Sequence, residues 1–205
     1  MKPEVKICGL LLPQDVEAVN EAGADYAGFV FWKKSKRNLS IDQADHLMRY
    51  LKPGIKKVAV TVAPDDILLE HLNQMDFDLI QMHGDVTAHM IEKSRHLVWQ
   101  AVNMTYPEKL DEILLDMDKI KGYVLDAASY GSGQTFSWEH TSSVLLRKQM
   151  GGRKMILAGG LNAENVLEGI RIFSPDVVDV SSGVEKTAGI GKDKEKVINF
   201  INKIR

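Results

Sequence analysis

Short apolar runs alternate with longer amphipathic stretches along the 205-residue chain, and this alternation restricts the fold more than any other feature. Strands that alternate with helices form a parallel sheet, because each parallel connection needs a crossover segment on the face of the sheet. The pattern therefore predicts an α/β protein. Eight apolar runs are the predicted strands: Val5 to Cys8, Tyr26 to Phe31, Lys57 to Val62, Leu79 to Met82, Val98 to Val102, Gly122 to Asp126, Met155 to Ala158 and Val177 to Val180.

Four stretches between the strands have the spacing of amphipathic helices. In the clearest one, apolar residues from Ile41 to Leu51 recur behind Ser40 and Gln43, a pair that resembles a capping box. The apolar stripes of the other three are Leu110, Ile113, Leu114 and Met117; Ala163, Val166, Leu167 and Ile170; and Val197, Phe200, Ile201 and Ile204. The helix with the stripe from Ala163 to Ile170 is predicted to open at Asn162.

Eight strand–helix units in about 200 residues fit two architectures, a small (β/α)8 barrel and a doubly wound open sheet. Periodicity alone does not separate them. In both, ligands bind at the carboxyl ends of the strands, where this chain has its polar and glycine-rich segments. No low-complexity linker divides the chain, so we expect one domain over residues 1–205.

Composition narrows the class of partner. Lys and Arg total 26 and Asp and Glu total 28, and this balance supports neither a nucleic-acid nor a membrane partner. With no signal peptide and no apolar stretch long enough to span a bilayer, we expect a cytoplasmic chain. Cys8 is the only cysteine, and the sequence has no HxxxH pair, GxGxxG fingerprint or Walker loop. These absences lower the expectation of a metal, nicotinamide dinucleotide or ATP site.

Two segments that follow the last predicted strands are interpreted as an anion site. AGGLN at 158–162 joins a strand to a helix, and DVSSG at 179–183 is interpreted as the same arrangement after the eighth strand. Such turns let backbone amides approach an anion, and barrel enzymes often bind phosphate between loops 7 and 8. Either segment alone fits a plain turn, but the two together favour phosphate binding. The candidate phosphate-binding residues are Gly159, Gly160, Ser181, Ser182 and Gly183.

Two strand ends carry residues suited to proton transfer. Asp126 closes the sixth strand before a loop that contains Gly131 and Gly133; burial would raise the pKa of this carboxyl and suit it to donate a proton. An Asp that caps the next turn is an equally weighted alternative. Cys8 closes the first strand, on the same face as Lys6. Most lone cysteines are packing residues, but positive charge that lowered the pKa of this thiol would suit it as a base or nucleophile.

Charged and imidazole side chains near two other strand ends are candidates for substrate binding. Lys33, Lys34, Lys36 and Arg37 cluster after the second strand, and solvated loop charge is the ordinary explanation. The functional interpretation is that the planar guanidinium of Arg37 binds an anionic group of the substrate. His83 either hydrogen-bonds a ligand or caps its strand.

Taken in order, these segments closely resemble the phosphoribosylanthranilate isomerase family, whose members are (β/α)8 enzymes of tryptophan biosynthesis. The resemblance covers nearly the whole chain. The matching segments are KICG at 6–9, GADYAGFVF at 23–31, SKR at 35–37, QMHG at 81–84, LD at 125–126, GSGQTFSW at 131–138, AGGLNAENV at 158–166, DVSSGVE at 179–185 and GKD at 191–193.

The resemblance implies a single TIM barrel that needs no cofactor. Its reaction would be the Amadori rearrangement of N-(5-phosphoribosyl)anthranilate to 1-(2-carboxyphenylamino)-1-deoxyribulose 5-phosphate, with Cys8 as general base and Asp126 as general acid. Arg37 would hold the anthranilate carboxylate, the two glycine-containing segments would hold the phosphate, and His83 and Asp179 would contact the substrate. A monomer or a homodimer is expected.

Two other functions remain open at this point. One is the aldose–ketose isomerase of histidine biosynthesis, which performs the same rearrangement and is expected to have a carboxylate where this chain has Cys8. The other is a phosphate-ligand sensor that kept the barrel and lost turnover, which would be expected to lack Cys8 or Asp126. Fold alone does not decide among these functions.

Overall fold

The described strands of the computed structural model form a closed parallel barrel, and the description covers residues 2–104, 114–126, 138 and 142–205. Successive strands pair in chain order, and the eighth closes on the first, with Lys6 opposite Asp179. The predicted barrel is therefore confirmed and the open sheet is wrong. The strands are β1 (Glu4–Cys8), β2 (Tyr26–Phe31), β3 (Lys56–Val62), β4 (Leu79–His83), β5 (Leu97–Asn103), β6 (Ile120–Asp126), β7 (Lys154–Leu157) and β8 (Val177–Val180).

Seven α-helices lie within the described residues, and none of them is long and apolar enough to cross a membrane. The predicted helix with Leu110 and Ile113 lies partly outside the described residues, and 114–117 have no regular structure. The helices are α1 (Pro13–Ala22), α2 (Ile41–Met48), α3 (Asp66–Leu72), α4 (Ala88–Lys93), α5 (Ser143–Gln149), α6 (Val166–Phe173) and α7 (Lys194–Ile204).

Local hydrogen bonds determine where the predicted helices begin. The capping box before α2 is confirmed, since Ser40 Oγ accepts from the Gln43 amide and Gln43 Oε1 accepts from the Ser40 amide. The helix predicted to open at Asn162 begins instead at Val166. Asn162 Oδ1 accepts from the amides of Glu164 and Asn165, and these bonds stabilise a turn in place of the first helical turn.

The barrel wall is buried on both faces, which explains why its strands are so apolar. In β1, Val5 and Ile7 belong to the large core cluster shared with the helices, whereas Cys8 belongs to a second cluster with Tyr26 and Trp99. Because side chains alternate along a strand, this second cluster is the barrel interior. Lys6 therefore points into the interior as well, below Cys8.

Candidate active site

Four of the predicted site residues stand near the carboxyl ends of barrel strands. Cys8, His83 and Asp126 are the last residues of β1, β4 and β6, and Asp179 is the third residue of β8. Asp179 lies within β8, as the predicted bounds of that strand require, and it pairs in register with Lys6. This end of a (β/α)8 barrel is where reacting groups gather.

Lys6 and Asp179 form a buried ion pair between β1 and β8. Lys6 Nζ lies 2.6 Å from Asp179 Oδ2, and the two side chains are 0% and 6% exposed. The other carboxylate oxygen, Asp179 Oδ1, is buried and accepts no hydrogen bond from any described residue. A buried acceptor without a donor is costly, so this oxygen is well suited to a ligand group.

The thiol of Cys8 lies in a largely apolar setting beside this ion pair. Burial raises the pKa of Cys8, and the positive charge of Lys6 offsets part of that rise. The charge of Lys6 therefore favours the thiolate, but the pKa of Cys8 remains above its ordinary value. An activated thiolate in the free protein would require a lowered pKa. At neutral pH the resting residue is the thiol.

His83 is a neutral side chain in the barrel interior. Burial, with a further contribution from the charge of Lys6, lowers the pKa of His83 to about 3. Its Nε2 lies 2.8 Å from Gln81 Nε2, which can only donate, so the ring proton is assigned to Nδ1. That nitrogen is 3.8 Å from Asp126 Oδ2, too far for a hydrogen bond. The pair is therefore a neutral imidazole beside a carboxyl group.

Arg37 is buried rather than part of a solvated cluster. Its Nε donates to Glu185 Oε1 at 2.5 Å, although the two residues are 148 positions apart. Its Nη2 is buried and donates to no described residue. This free donor fits the predicted role in binding an anionic group, while the contact with Glu185 brings Arg37 beside the segment after β8.

The two glycine-containing segments are packed against each other. Gly159 and Gly160 have φ of 77° and 64° in the turn after β7. A short 3₁₀ helix, Ser182–Val184, follows β8, and a Cβ on Gly183 would lie 2.1 Å from the Leu161 carbonyl oxygen. Only glycine permits this approach, so the segments meet as the phosphate prediction requires.

Three polar residues of the site were missed by sequence reasoning. Gln81 contacts His83, Glu185 binds Arg37, and buried Lys192 donates to the carbonyl oxygen of Ser181 at 3.1 Å. Lys192 and Glu185 lie in the segments GKD and SSGVE, and the clue available was a charged residue one or two positions after a glycine near the last strand. The predicted loop with Gly131 and Gly133 lies outside the described residues.

The family model for N-(5'-phosphoribosyl)anthranilate (PRA) isomerase matches residues 5–203. Among curated proteins, the N-(5'-phosphoribosyl)anthranilate isomerase of Listeria innocua is 42% identical, over 96% of this chain and 95% of the relative. The isomerase of Thermoanaerobacter sp. is 40% identical, over 98% of each. Both matches run nearly the full length of both chains.

Solved structures give the same result. Dimeric phosphoribosylanthranilate isomerase from Thermotoga maritima, studied as generated monomers, superposes with a TM-score of 0.83 at 33% identity, over 98% of each chain. A phosphoribosylanthranilate isomerase in complex with reduced 1-(o-carboxyphenylamino)-1-deoxyribulose 5-phosphate superposes with a TM-score of 0.81 at 30% identity, over the same share of each.

Proposed function

Because the chain belongs to the N-(5'-phosphoribosyl)anthranilate isomerase family, we propose that its site uses Asp126 as general acid and Cys8 as general base. The enzyme is an isomerase of tryptophan biosynthesis, with N-(5'-phosphoribosyl)anthranilate as substrate. The observation that carries the assignment is the position of these two side chains, each the last residue of an inward-facing strand end. No other thiol is present in the chain.

The first step of the proposed mechanism is ring opening. Asp126, in its protonated form, delivers a proton to the furanose ring oxygen while the lone pair of the anthranilate nitrogen forms the C1=N bond. The C1–O bond breaks, and the sugar becomes an open-chain iminium. Asp126 is left as a carboxylate, beside the neutral His83 ring.

The second step is proton abstraction. The Cys8 thiolate removes the proton from C2, and the electrons of that C–H bond form a C1=C2 double bond as the iminium nitrogen regains its lone pair. The enolamine then tautomerises to the C2 ketone. Lys6 favours the thiolate because its charge and its hydrogen bond to the sulfur lower the pKa that burial raises.

The remaining predicted residues bind the substrate in this proposal. Arg37 offers its free Nη2 to the anthranilate carboxylate. Amides of the two packed segments, at Gly159, Gly160 and Ser181 to Gly183, hold the phosphate. Asp179 Oδ1 accepts a hydrogen bond from the substrate, and His83 contacts it. The oligomeric state stays a prediction of monomer or homodimer.

A fluorescence assay tests the activity itself. Freshly generated N-(5'-phosphoribosyl)anthranilate should lose its fluorescence when the purified enzyme is added. The aldose–ketose substrate of histidine biosynthesis, offered in parallel, should turn over far more slowly. Equal turnover of both substrates would mean that the enzyme catalyses both isomerisations. No turnover of either would favour the alternative of a phosphate-ligand sensor without catalytic activity.

Two variants test the acid and the base. Cys8→Ser exchanges the thiol for a group that does not ionise in the working range, and Asp126→Asn removes the donated proton. Each should lower kcat by about 10² to 10⁴, the usual weight of acid–base catalysis. Affinity for the reduced product compound should change little. A variant with near-normal kcat would reject the role assigned to that residue.

Two further variants test recognition. Arg37→Ala removes a charge-assisted hydrogen bond and should weaken the reduced product by about 10- to 150-fold, while ribose 5-phosphate binds almost unchanged. Gly160→Val places a side chain where the phosphate meets the backbone, so it should weaken both ligands alike. Calorimetric titration measures all four affinities. If Arg37→Ala weakened ribose 5-phosphate as strongly as the product, Arg37 would be a phosphate ligand instead.

A further inference from the structure

The side chain of Glu185 lies at the centre of a network that joins Arg37 to the segment after β8. Its carboxylate accepts from Arg37 Nε at 2.5 Å and from Lys36 Nζ at 2.7 Å, and Lys192 Nζ lies 3.4 Å from Oε1. Only 16% of the Glu185 side chain is exposed. Three cations around one carboxylate hold it ionised, and its pKa falls to about 2.

The position of Glu185 is itself fixed by its neighbours. Lys192, whose side chain is 1% exposed, also donates to the carbonyl oxygen of Ser181 at 3.1 Å. Lys196 Nζ donates to the backbone carbonyl of Glu185 at 3.0 Å. Ser181 Oγ in turn donates to the carbonyl oxygen of Cys8 at 2.9 Å. The carboxylate is thus anchored to the strand ends on which the proposed chemistry takes place.

The geometry at Arg37 is asymmetric. Nε is engaged by Glu185, whereas Nη2 is buried and donates to no described residue. The aliphatic part of the side chain crosses Gly9, where a Cβ would lie 2.4 Å from Arg37 Cδ. Gly9 also has φ of 79°, which disfavours other residues. One edge of the guanidinium is clamped, and the other is left for a ligand.

We propose that Glu185 is a positioning residue that orients Arg37 so that its free Nη2 faces the anthranilate carboxylate. The inference rests on the proposed function of Arg37. A guanidinium held at one edge loses less rotational freedom when a ligand carboxylate binds the other. Buried Lys192 offsets the negative charge of Glu185, so that Arg37 keeps a net positive charge for the incoming carboxylate.

Three substitutions of Glu185 separate its position from its charge. Glu185→Ala removes both, and Glu185→Asp keeps the charge but shortens the reach by one methylene. Glu185→Gln keeps an acceptor oxygen at the same reach and removes the charge. If orientation matters, the Ala and Asp variants should bind the reduced product roughly tenfold more weakly, about the loss of one charge-assisted hydrogen bond, and Gln should stay near wild type.

The probes are the reduced product compound and the same compound made from aniline, which lacks the carboxylate. The Ala and Asp variants should weaken only the first, and KM for the substrate should rise while kcat stays within about twofold. Lys36→Met is the matched control, because Lys36 also pairs with Glu185 but is 72% exposed. It should leave both affinities nearly unchanged.

A double-mutant cycle decides whether Glu185 acts through Arg37. In the Arg37→Ala background, Glu185→Ala should have no further effect on the reduced product. Additive effects would overturn the inference, as would product binding by Glu185→Ala as tight as that of the wild type. If Arg37→Ala itself weakens both probes alike, it is the recognition role of Arg37 that fails. Should Glu185→Ala not fold, the Asp and Gln variants carry the comparison.

Discussion

The two ends of the barrel interior both contain lysine–carboxylate pairs, yet the pairs differ in burial and in how fully they are satisfied. At the amino ends of the strands, Glu4 pairs with Lys56 and Lys154, and all three side chains are between 34% and 46% exposed. At the carboxyl ends, the Lys6 and Asp179 side chains are 0% and 6% exposed. Strand β1 supplies one partner of each cluster.

At the amino end, the polar atoms bind one another. Tyr26 Oη donates to Glu4 Oε2 at 3.0 Å and accepts from Lys56 and Lys154 at 3.2 and 3.1 Å. Lys56 Nζ also lies 4.7 Å from the centre of the Tyr26 ring. The Tyr26 ring in turn packs against Trp99 in the barrel interior, with 4.9 Å between the ring centres. This cluster closes the barrel and leaves little for a ligand to bind.

At the carboxyl end, polar atoms are buried without partners. Asp179 Oδ1, Gln81 Oε1 and Arg37 Nη2 form no hydrogen bond with any described residue. Burial also displaces the pKa of both Cys8 and His83 from their ordinary values. The contrast shows that buried polar atoms without hydrogen-bond partners distinguish the end that carries the proposed site, whereas charge alone does not.

The largest expected effect is on the pH dependence of catalysis. Since burial raises the pKa of Cys8, the reactive thiolate is the minor form at neutral pH. In Asp126→Asn, where the acid no longer titrates, the residual kcat/KM should therefore rise with pH from 6 to 9, by up to about tenfold per pH unit. The double variant Cys8→Ser/Asp126→Asn should lack this rise. A profile of Asp126→Asn that is flat over this range would contradict the thiol as base.

The second prediction breaks the buried pair at the working end. Lys6→Met leaves the Asp179 carboxylate buried without its partner and should destabilise the fold by about 3 to 5 kcal/mol in chemical denaturation. It should also raise the pKa of Cys8 further, which alkylation rates against pH would measure. Adding Asp179→Leu should recover most of the stability. A Lys6→Met protein as stable as wild type would mean that the pair is not desolvated as described.

The third prediction concerns His83, whose pKa of about 3 in the fold lies below the ordinary value near 6.5. Between these values the unfolded chain binds a proton that the folded chain does not, so stability falls as pH falls below 6.5 and this contribution is intact above it. The slope is up to about 1.4 kcal/mol per pH unit. His83→Asn should flatten the stability profile between pH 6 and 4 relative to wild type.

The exposed His71 provides the matched control for this measurement. His71→Asn should leave the slope of the wild type in place. If both histidine variants changed the slope equally, the effect would belong to the charge balance of the whole chain rather than to the buried ring.

The smallest effect is expected at the amino end. Lys56→Met removes a half-exposed cation from the cluster around Glu4 and should change stability by no more than about 1 kcal/mol, with kcat unchanged. Because both variants replace lysine by methionine, Lys56→Met and Lys6→Met compare the two ends directly. Equal losses of stability would remove the distinction drawn between them.

The sequence alone was enough for the eight strands, for three of the seven described helices and for the position of several candidate site residues. The bounds of β2 and β8 agree with the predicted ones, because two-sided burial in a parallel barrel demands continuous apolar runs. Cys8 and Asp126 were placed at strand ends for the same reason. The start of α6 was missed, since the competing turn at Asn162 depends on side-chain hydrogen bonds rather than on hydrophobic period.

Only the tertiary structure decided how the charged groups pair. Lys6 meets Asp179 across 173 positions and Arg37 meets Glu185 across 148, and both contacts exist because closure of the barrel brings β8 and its following segment beside β1. The neutral state of His83 likewise follows from burial and from the nearby charge of Lys6. Periodicity is a local property of the chain, whereas pKa values and ion pairs depend on which distant residues share one low-dielectric space.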